Sequence, residues 1–344
     1  MPLHKTCLRA ASAIACLLVM SGSSLADADT PAEFYGGRQV TLIVPTGPSG
    51  GYSVYGQFLA HHLGNHLPGK PTVVIKYMPG GGGNTAANYL YKVAPKDGSV
   101  VAEMFSTLPV TQALHPAGAD FDATKFSWLG SIAPMINVVS VLHDAPAATL
   151  EDARKKSVVI GATGKSADLY IYPKLMNAIL GTRFKIVLGY ADSGSVLLAM
   201  ESGEAQGVAM GLEAWRVTRP EWVKDKKVVM IAQNGLKRDE QIPDVPTLVE
   251  LARSPEDKEV MEFVAVPPVL GRSFAAPPGI PQDRLAALRK AFEETMKDPA
   301  FVDELKARGL TIQPTSGPDV AALLARVKST PPAVVQRTKS ILGF

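Results

Sequence analysis

The chain has 344 residues, 46% of them hydrophobic and 19% charged, which is enough for two domains with sizeable cores and too apolar for a disordered chain. The formal net charge is only +3 and no Lys/Arg block concentrates it, which excludes a nucleic-acid binder. The chain holds 30 Gly and 27 Pro with no collagen-like period, so many tight turns between short elements are expected.

Residues 1–26 read as a cleaved secretory signal. His4, Lys5 and Arg9 lead into an apolar run over residues 10–20, and Ser24-Leu25-Ala26 is a small-residue cleavage site before Asp27. The run is too short to span a bilayer, and no later stretch approaches ~20 uninterrupted apolar residues. The mature chain is therefore expected in the periplasm. Cys7 and Cys16 leave with the signal, so no disulfide or thiol chemistry is expected. The rival cleavage, before Cys16 after Ala13-Ile14-Ala15, would give a lipoprotein, but the apolar run ahead of it is very short.

Short apolar strands then alternate with amphipathic helices. A strand at 40–44 enters the turn Pro45-Thr46-Gly47-Pro48-Ser49-Gly50-Gly51-Tyr52-Ser53, and a helix follows at 54–66. A strand at 72–77 enters Met78-Pro79-Gly80-Gly81-Gly82-Gly83-Asn84 ahead of a helix at 85–93. Strands at 99–104 and 138–142 and a helix at 150–155 come next. A strand at 157–160 runs into Gly161-Ala162-Thr163-Gly164-Lys165-Ser166 and a helix at 168–180. A strand at 185–188 meets Gly189-Tyr190-Ala191-Asp192-Ser193-Gly194-Ser195 before a helix at 195–203. Strands at 228–232 and 273–275 precede helices at 282–297 and 299–308. In the first of these helices Leu285, Leu288, Phe292 and Met296 share one face. The alternation predicts an α/β architecture with mainly parallel sheets. Residues 129–141 are poor in polar groups and are expected to leave a first domain for a second. The Pro/Gly-rich residues 267–278 are expected to return. The domains expected are thus 27–137 plus 269–344, and 138–268.

Each of the four glycine-rich turns places free backbone N–H groups and hydroxyls at a helix N-terminus, which is an anion site by geometry. Ligands of open α/β sheets sit outside the carboxyl ends of the strands. Taken singly each turn reads better as an ordinary connection, since glycine is the default turn residue. Two in each domain together point to a cleft holding a carboxylate-bearing ligand.

Other motifs carry less. Gly164-Lys165-Ser166 ends like a phosphate loop, but Val159 stands where that motif needs glycine. Gly81-Gly82-Gly83-Asn84-Thr85-Ala86 fits G-x-G-x-x-A, with Glu103 ~20 residues on; Pro79 interrupts the entry, and Glu103 sits inside its strand. His61, His62 and His66 share a helix without an H-E-x-x-H frame, so they read as a half-buried face rather than a metal site. His115 and His143 stand alone. Tyr52, Tyr170, Tyr172, Tyr190 and Trp215 are placed either to wall a pocket or to fill a core. No G-x-S-x-G and no cysteine nucleophile occur, so neither catalysis, cofactor nor metal is expected.

Further markers recur in order along the chain: Tyr35-Gly36-Gly37, Ala87-Asn88-Tyr89-Leu90-Tyr91, Ala94-Pro95-Lys96-Asp97-Gly98, Pro243-Asp244-Val245-Pro246-Thr247, Ala276-Pro277-Pro278-Gly279-Ile280-Pro281, Pro299-Ala300-Phe301 and Gly309-Leu310. From about Phe34 to its end the chain resembles the extracytoplasmic solute receptors of tripartite tricarboxylate transporters, the TctC or Bug family. The resemblance implies a two-domain periplasmic binding protein of type II-like fold, monomeric by class. Such a receptor closes on a small carboxylate and delivers it to one large and one small integral membrane subunit. It also implies ligand contacts at Thr46, Ser49, Gly50, Gly51 and Tyr52, at Gly82 and Gly83, at Ser106 and Thr107, at Thr163 and Ser166, and at Gly189 and Tyr190.

Many members carry Asp where this chain has Ser53, and Ala-Arg in place of Gly56-Gln57. The lost acid disfavours an amino-acid ligand and leaves a simple carboxylate, dicarboxylate or aromatic acid. Lys165 is positioned to reinforce a negative ligand or to stand solvated. Two rivals stay open: a sensor passing its closed shape to a signalling partner, and a periplasmic enzyme using the same cleft. The enzyme is disfavoured because no acid–base pair or activated nucleophile can be named.

Overall fold

Strands such as Gln39–Val44, Thr72–Tyr77 and Asn137–Leu142 form where β-branched and apolar residues cluster. A computed structural model describes residues 29–114 and 118–344; the expected leader, with its two cysteines, and His115 lie outside them. Eleven strands are present among these residues: β1 (Gln39–Val44), β2 (Thr72–Tyr77), β3 (Val100–Met104), β4 (Ser127–Ser131), β5 (Asn137–Leu142), β6 (Ser157–Gly161), β7 (Arg183–Val187), β8 (Gly207–Gly211), β9 (Val228–Asn234), β10 (Ser273–Ala276) and β11 (Thr315–Ser316).

They make two sheets, ordered β11-β4-β10-β3-β1-β2 and β7-β6-β8-β5-β9. Leu42, Ile43 and Val44 are fully buried in β1, as a strand covered on both faces requires. Every residue of β3 and of β8 is buried. The edge strand β7 instead alternates, with Arg183 and Lys185 outward and Phe184 inward. β1 pairs parallel with β2 and β3, and β6 parallel with β7 and β8.

The expectation of mainly parallel sheets needs correction, because both sheets are mixed. β10 lies antiparallel between β3 and β4, and β5 lies antiparallel between β8 and β9. Each inserted strand is the first to follow a crossing of the chain from the other sheet, so it enters against the direction of its neighbours. The crossings run from β4 to β5 and from the helix Pro255–Ala265 to β10. They touch: the Ile132 N–H donates to Arg272 O at 2.9 Å, the Arg272 N–H to Ala133 O at 2.9 Å and the Met135 N–H to Pro268 O at 2.8 Å.

Helices cover both sheets. In Gln282–Lys297 the residues Leu285, Leu288, Phe292 and Met296 are all buried, as their spacing predicts. The expected 168–180 helix is α-helical over Asp168–Leu175 and widens to a π turn over Met176–Leu180, beyond the internal Pro173. Gly317–Lys328 packs on β4, whereas the last helix, Pro332–Leu342, packs on Pro255–Ala265. Its Val334 and Leu342 share a core with Val139 and Ile160 of the second sheet. No helix of the described residues is long and apolar enough to cross a membrane.

Candidate functional site

The carboxyl ends of β1, β2 and β3 face those of β6, β7 and β8 across the space between the sheets, and the glycine-rich turns meet there in two seams. At the first seam the Gly47 N–H donates to Ala191 O at 3.2 Å, and Ser49 Oγ donates to the Asp192 carboxylate at 3.0 Å. Asp192 is also the N-cap of the helix Ser193–Glu201, accepting the Ser195 N–H at 2.7 Å. At the second seam Asn84 Nδ2 donates to Ser166 Oγ at 3.1 Å and Thr107 Oγ1 to Ser166 O at 2.8 Å. The backbones nearly touch here. A Cβ on Gly82, whose φ is +65°, would come within 2.6 Å of Ala167 N, and one on Gly164 within 2.4 Å of Gly82 N.

Between the seams lies a buried cavity of about 20 Å³, room for about one water molecule. It is lined by Gly51, Tyr52, Met135, Asp168, Leu169, Ser193, Met210, Gly211, Ala214 and Arg272. Gly51, Asp168 and Ser193 are each the first residue of a helix, so N-terminal helix dipoles from both lobes converge on it. A larger hollow, about 630 Å³ beside Phe263 and Val334, opens on the outer surface, away from every strand end described above.

The cavity's electrostatics are those of buried charge. Asp168 is 1% exposed, and burial pushes its carboxyl up to about 6, against the pull of the Leu169 N–H and of Arg272. Burial also raises Glu213, and it holds Glu103 well above the usual carboxylate range; Arg272 opposes both shifts. Both oxygens of Glu103 and Oε2 of Glu213 are buried without a hydrogen-bond partner. Arg272 is itself 2% exposed, stacked with its Cζ 4.4 Å from the centre of the Tyr52 ring.

Most of the expected site residues gather here. Gly51 and Tyr52 line the cavity, and the Tyr52 hydroxyl accepts the Ser106 N–H at 3.0 Å. Ser49 and Gly50 lie on the first seam, and Gly82, Thr107 and Ser166 on the second. Thr46 is buried, with its hydroxyl donated to Gly47 O. Gly83 closes against the Phe105 ring, and Thr163 Oγ1 is buried without a partner. Gly189 and Tyr190 stand apart: Gly189 is exposed and Tyr190 donates outward to Glu204 at 2.7 Å. Lys165 is exposed in an outer groove beside Gly81 and Asn84. Ser53 is buried and donates to the Tyr77 hydroxyl.

Tyr172 and Trp215 fill cores rather than wall a pocket, and the Tyr170 hydroxyl donates to Leu342 O. His62 and His66 lie 2.7 Å from Glu304 and 2.9 Å from Asp298, tying the helix Gly51–His66 to Pro299–Ala307 and its N-cap. His61, His62 and Glu304 offer three donor atoms within 4.8 Å of one another on this outer face.

Sequence reasoning passed over Asp168, Glu213 and Arg272. The available signal for Arg272 was a single charge set among Leu270, Phe274, Ala275 and Ala276 in the stretch expected to cross between domains.

The model of the tripartite tricarboxylate transporter family receptor matches residues 59–339. Protein BugT of Bordetella pertussis is 25% identical over 293 residues, which are 83% of this chain and 84% of that one. The periplasmic binding protein BugD is a structural neighbour with a TM-score of 0.70 at 19% identity, covering 89% of this chain and 98% of its own. MatC from Rhodopseudomonas palustris, solved with bound malate, has a TM-score of 0.67 at 19% identity and covers 89% of this chain and 99% of its own. These structures share the two-lobed fold.

Proposed function

The chain belongs to the tripartite tricarboxylate transporter receptor family, and from that we propose that it is a periplasmic receptor that closes on a small carboxylate-bearing solute. It is exported by cleavage before Asp27 and hands the solute to the large and small membrane subunits of the transporter. The hinge is the pair of hydrogen-bonded crossings next to β5 and β10, and the lobes are built on the two sheets.

One observation carries this reading. Helix N-termini from both lobes converge on one small pocket lined by buried residues, the Arg272 guanidinium and the Asp168 carboxyl among them. Backbone N–H groups, hydroxyls and helix dipoles offset the desolvation of a carboxylate through charge-assisted hydrogen bonds. Malate bound in the neighbour MatC supports the same ligand class. A solute of several heavy atoms exceeds about 20 Å³, so the lobes part to admit it and close again around it.

The test is a thermal-shift screen of the chain from Asp27 against dicarboxylates, hydroxy acids, aromatic acids, amino acids and sugars. A ligand at about 100 times its Kd adds ~2.7 kcal/mol of stability, which a melting curve resolves. A shift with at least one acid is expected, and Asp168 on the cavity wall keeps amino acids within the panel as candidate ligands. No shift with any acid would sink the proposal.

A further inference from the structure

Arg272 is the one cationic side chain among the described residues that line the cavity, and the carboxyls of Asp168, Glu213 and Glu103 lie around it without direct contact. Its Nη1 is buried and has no hydrogen-bond partner, and Arg272 makes no ion pair among the described residues. A fully buried guanidinium is ordinarily paired, because an isolated buried charge is strongly unfavourable. The tyrosine rings beneath it, Tyr52 at 4.4 Å and Tyr55 at 5.0 Å, stack on its face and leave its N–H edge to other partners. Burial works against the Arg272 charge, and through-space attraction to Tyr52, Tyr55, Glu213 and Glu103 more than offsets it, although none of these groups makes an ion pair or a hydrogen bond with the guanidinium.

The placement of the head group is equally particular. Nη2 lies 3.4 Å from where a Cβ on Gly51 would stand and 3.1 Å from where one on Gly211 would stand. Gly51 begins the first helix of one lobe, and Gly211 ends β8 of the other. A side chain at either position would crowd the guanidinium edge, which shares this space with Ala214 Cβ, 2.8 Å from the Gly51 point, and Glu213 Oε2, 3.2 Å from the Gly211 point. Arg272 itself sits on the crossing that joins them.

We propose that Arg272 is the charged anchor of the receptor, pairing through its guanidinium with one carboxylate of the solute at the point where Gly51 and Gly211 face each other. The inference rests on the receptor reading and adds to it the residue that selects for an anion. Binding then joins the lobes at their hinge side, since the anchor is fixed to the crossing and the dipoles around it come from both lobes.

Calorimetric titration of the wild type, Arg272→Gln and Arg272→Lys with malate, adipate and benzoate tests it. Arg272→Gln is expected to weaken the best-bound acid by roughly 100-fold, the worth of a buried charge-assisted hydrogen-bond pair. Arg272→Lys, which keeps the charge and loses the planar fork, is expected to fall between it and the wild type. Affinities of all three proteins within about threefold of one another would overturn the inference and leave the receptor reading standing. If Arg272→Gln does not fold, a crystal structure of the wild type with the acid decides. A carboxylate oxygen within about 3 Å of the guanidinium supports the anchor, and one held only by the loop amides overturns it. A wild type that binds none of the acids fails the receptor reading itself, and the anchor with it.

Discussion

Asp168 shows how one buried carboxyl links the site to stability. Its carboxyl holds a proton to about pH 6, against 3.8 when unshifted, because burial outweighs the Leu169 N–H and the more distant Arg272 charge. Between about pH 4 and 6 the native state therefore keeps a proton that the unfolded chain has released. Stability falls across that window as the pH rises, by up to about 3 kcal/mol once the pH exceeds 6. Asp168→Asn is expected to remove this share of the fall, so urea denaturation at pH 4.5 and pH 7.5 should show a smaller difference for the variant than for the wild type. Equal differences would mean that the carboxyl is not desolvated as the cavity implies. The reason sequence reading missed Asp168, Glu213 and Arg272 lies at this scale too. Charged residues are presumed exposed, and these are buried only because segments more than 100 residues apart in the chain fold over them. Ser53 was legible as a departure from the family pattern, and its place beside Tyr77 gives the position a structural partner.

At the scale of elements, the seams hold the closed arrangement. Asp192 caps the helix Ser193–Glu201 and binds Ser49 across the cleft with the same carboxylate. Asp192→Ala is expected to cost about 1–2 kcal/mol through the lost cap. It should also weaken acid binding, because the cross-lobe bond disappears; a stability loss with unchanged affinity would confine Asp192 to the cap. Gly164→Ala separates the two effects. A Cβ there meets Gly82 N at 2.4 Å only when the lobes are closed, so the free protein should melt close to the wild type. Acid affinity should drop by at least about tenfold, equivalent to ~1.4 kcal/mol of lost closure. An affinity equal to the wild type would show that the turns part before the solute is held. The turns were legible because glycines follow strands rich in Val and Ile. β8, Gly207-Val208-Ala209-Met210-Gly211, was not legible, since its residues form a strand through burial between β5 and β6 rather than by propensity. The helix Pro255–Ala265 carries a start signal in the sequence, with Ser254 as cap, Pro255 at the first position and Glu256 and Asp257 in the first turn.

For the whole molecule, the alternation of strands and helices sufficed for an α/β chain. It did not reveal that a strand entering just after each crossing, β10 in one sheet and β5 in the other, runs antiparallel to its neighbours, nor that the edge strand β11 runs antiparallel to β4, because strand direction within a sheet is set by the path of the chain and not by local pattern. That path makes the receptor reading mechanical. The two crossings are hydrogen-bonded to each other beside Arg272, while the seams lie at the turns, so in the proposed mechanism the lobes rotate about the first to open the second. The most direct test of that motion is small-angle X-ray scattering from the chain beginning at Asp27, titrated with the acid that gives the largest thermal shift. The radius of gyration is expected to fall and saturate with the same midpoint as the calorimetric titration, as open molecules close on the solute. A binding acid that leaves the scattering unchanged at saturation, or expands it, would contradict closure around the solute in the cleft between the lobes.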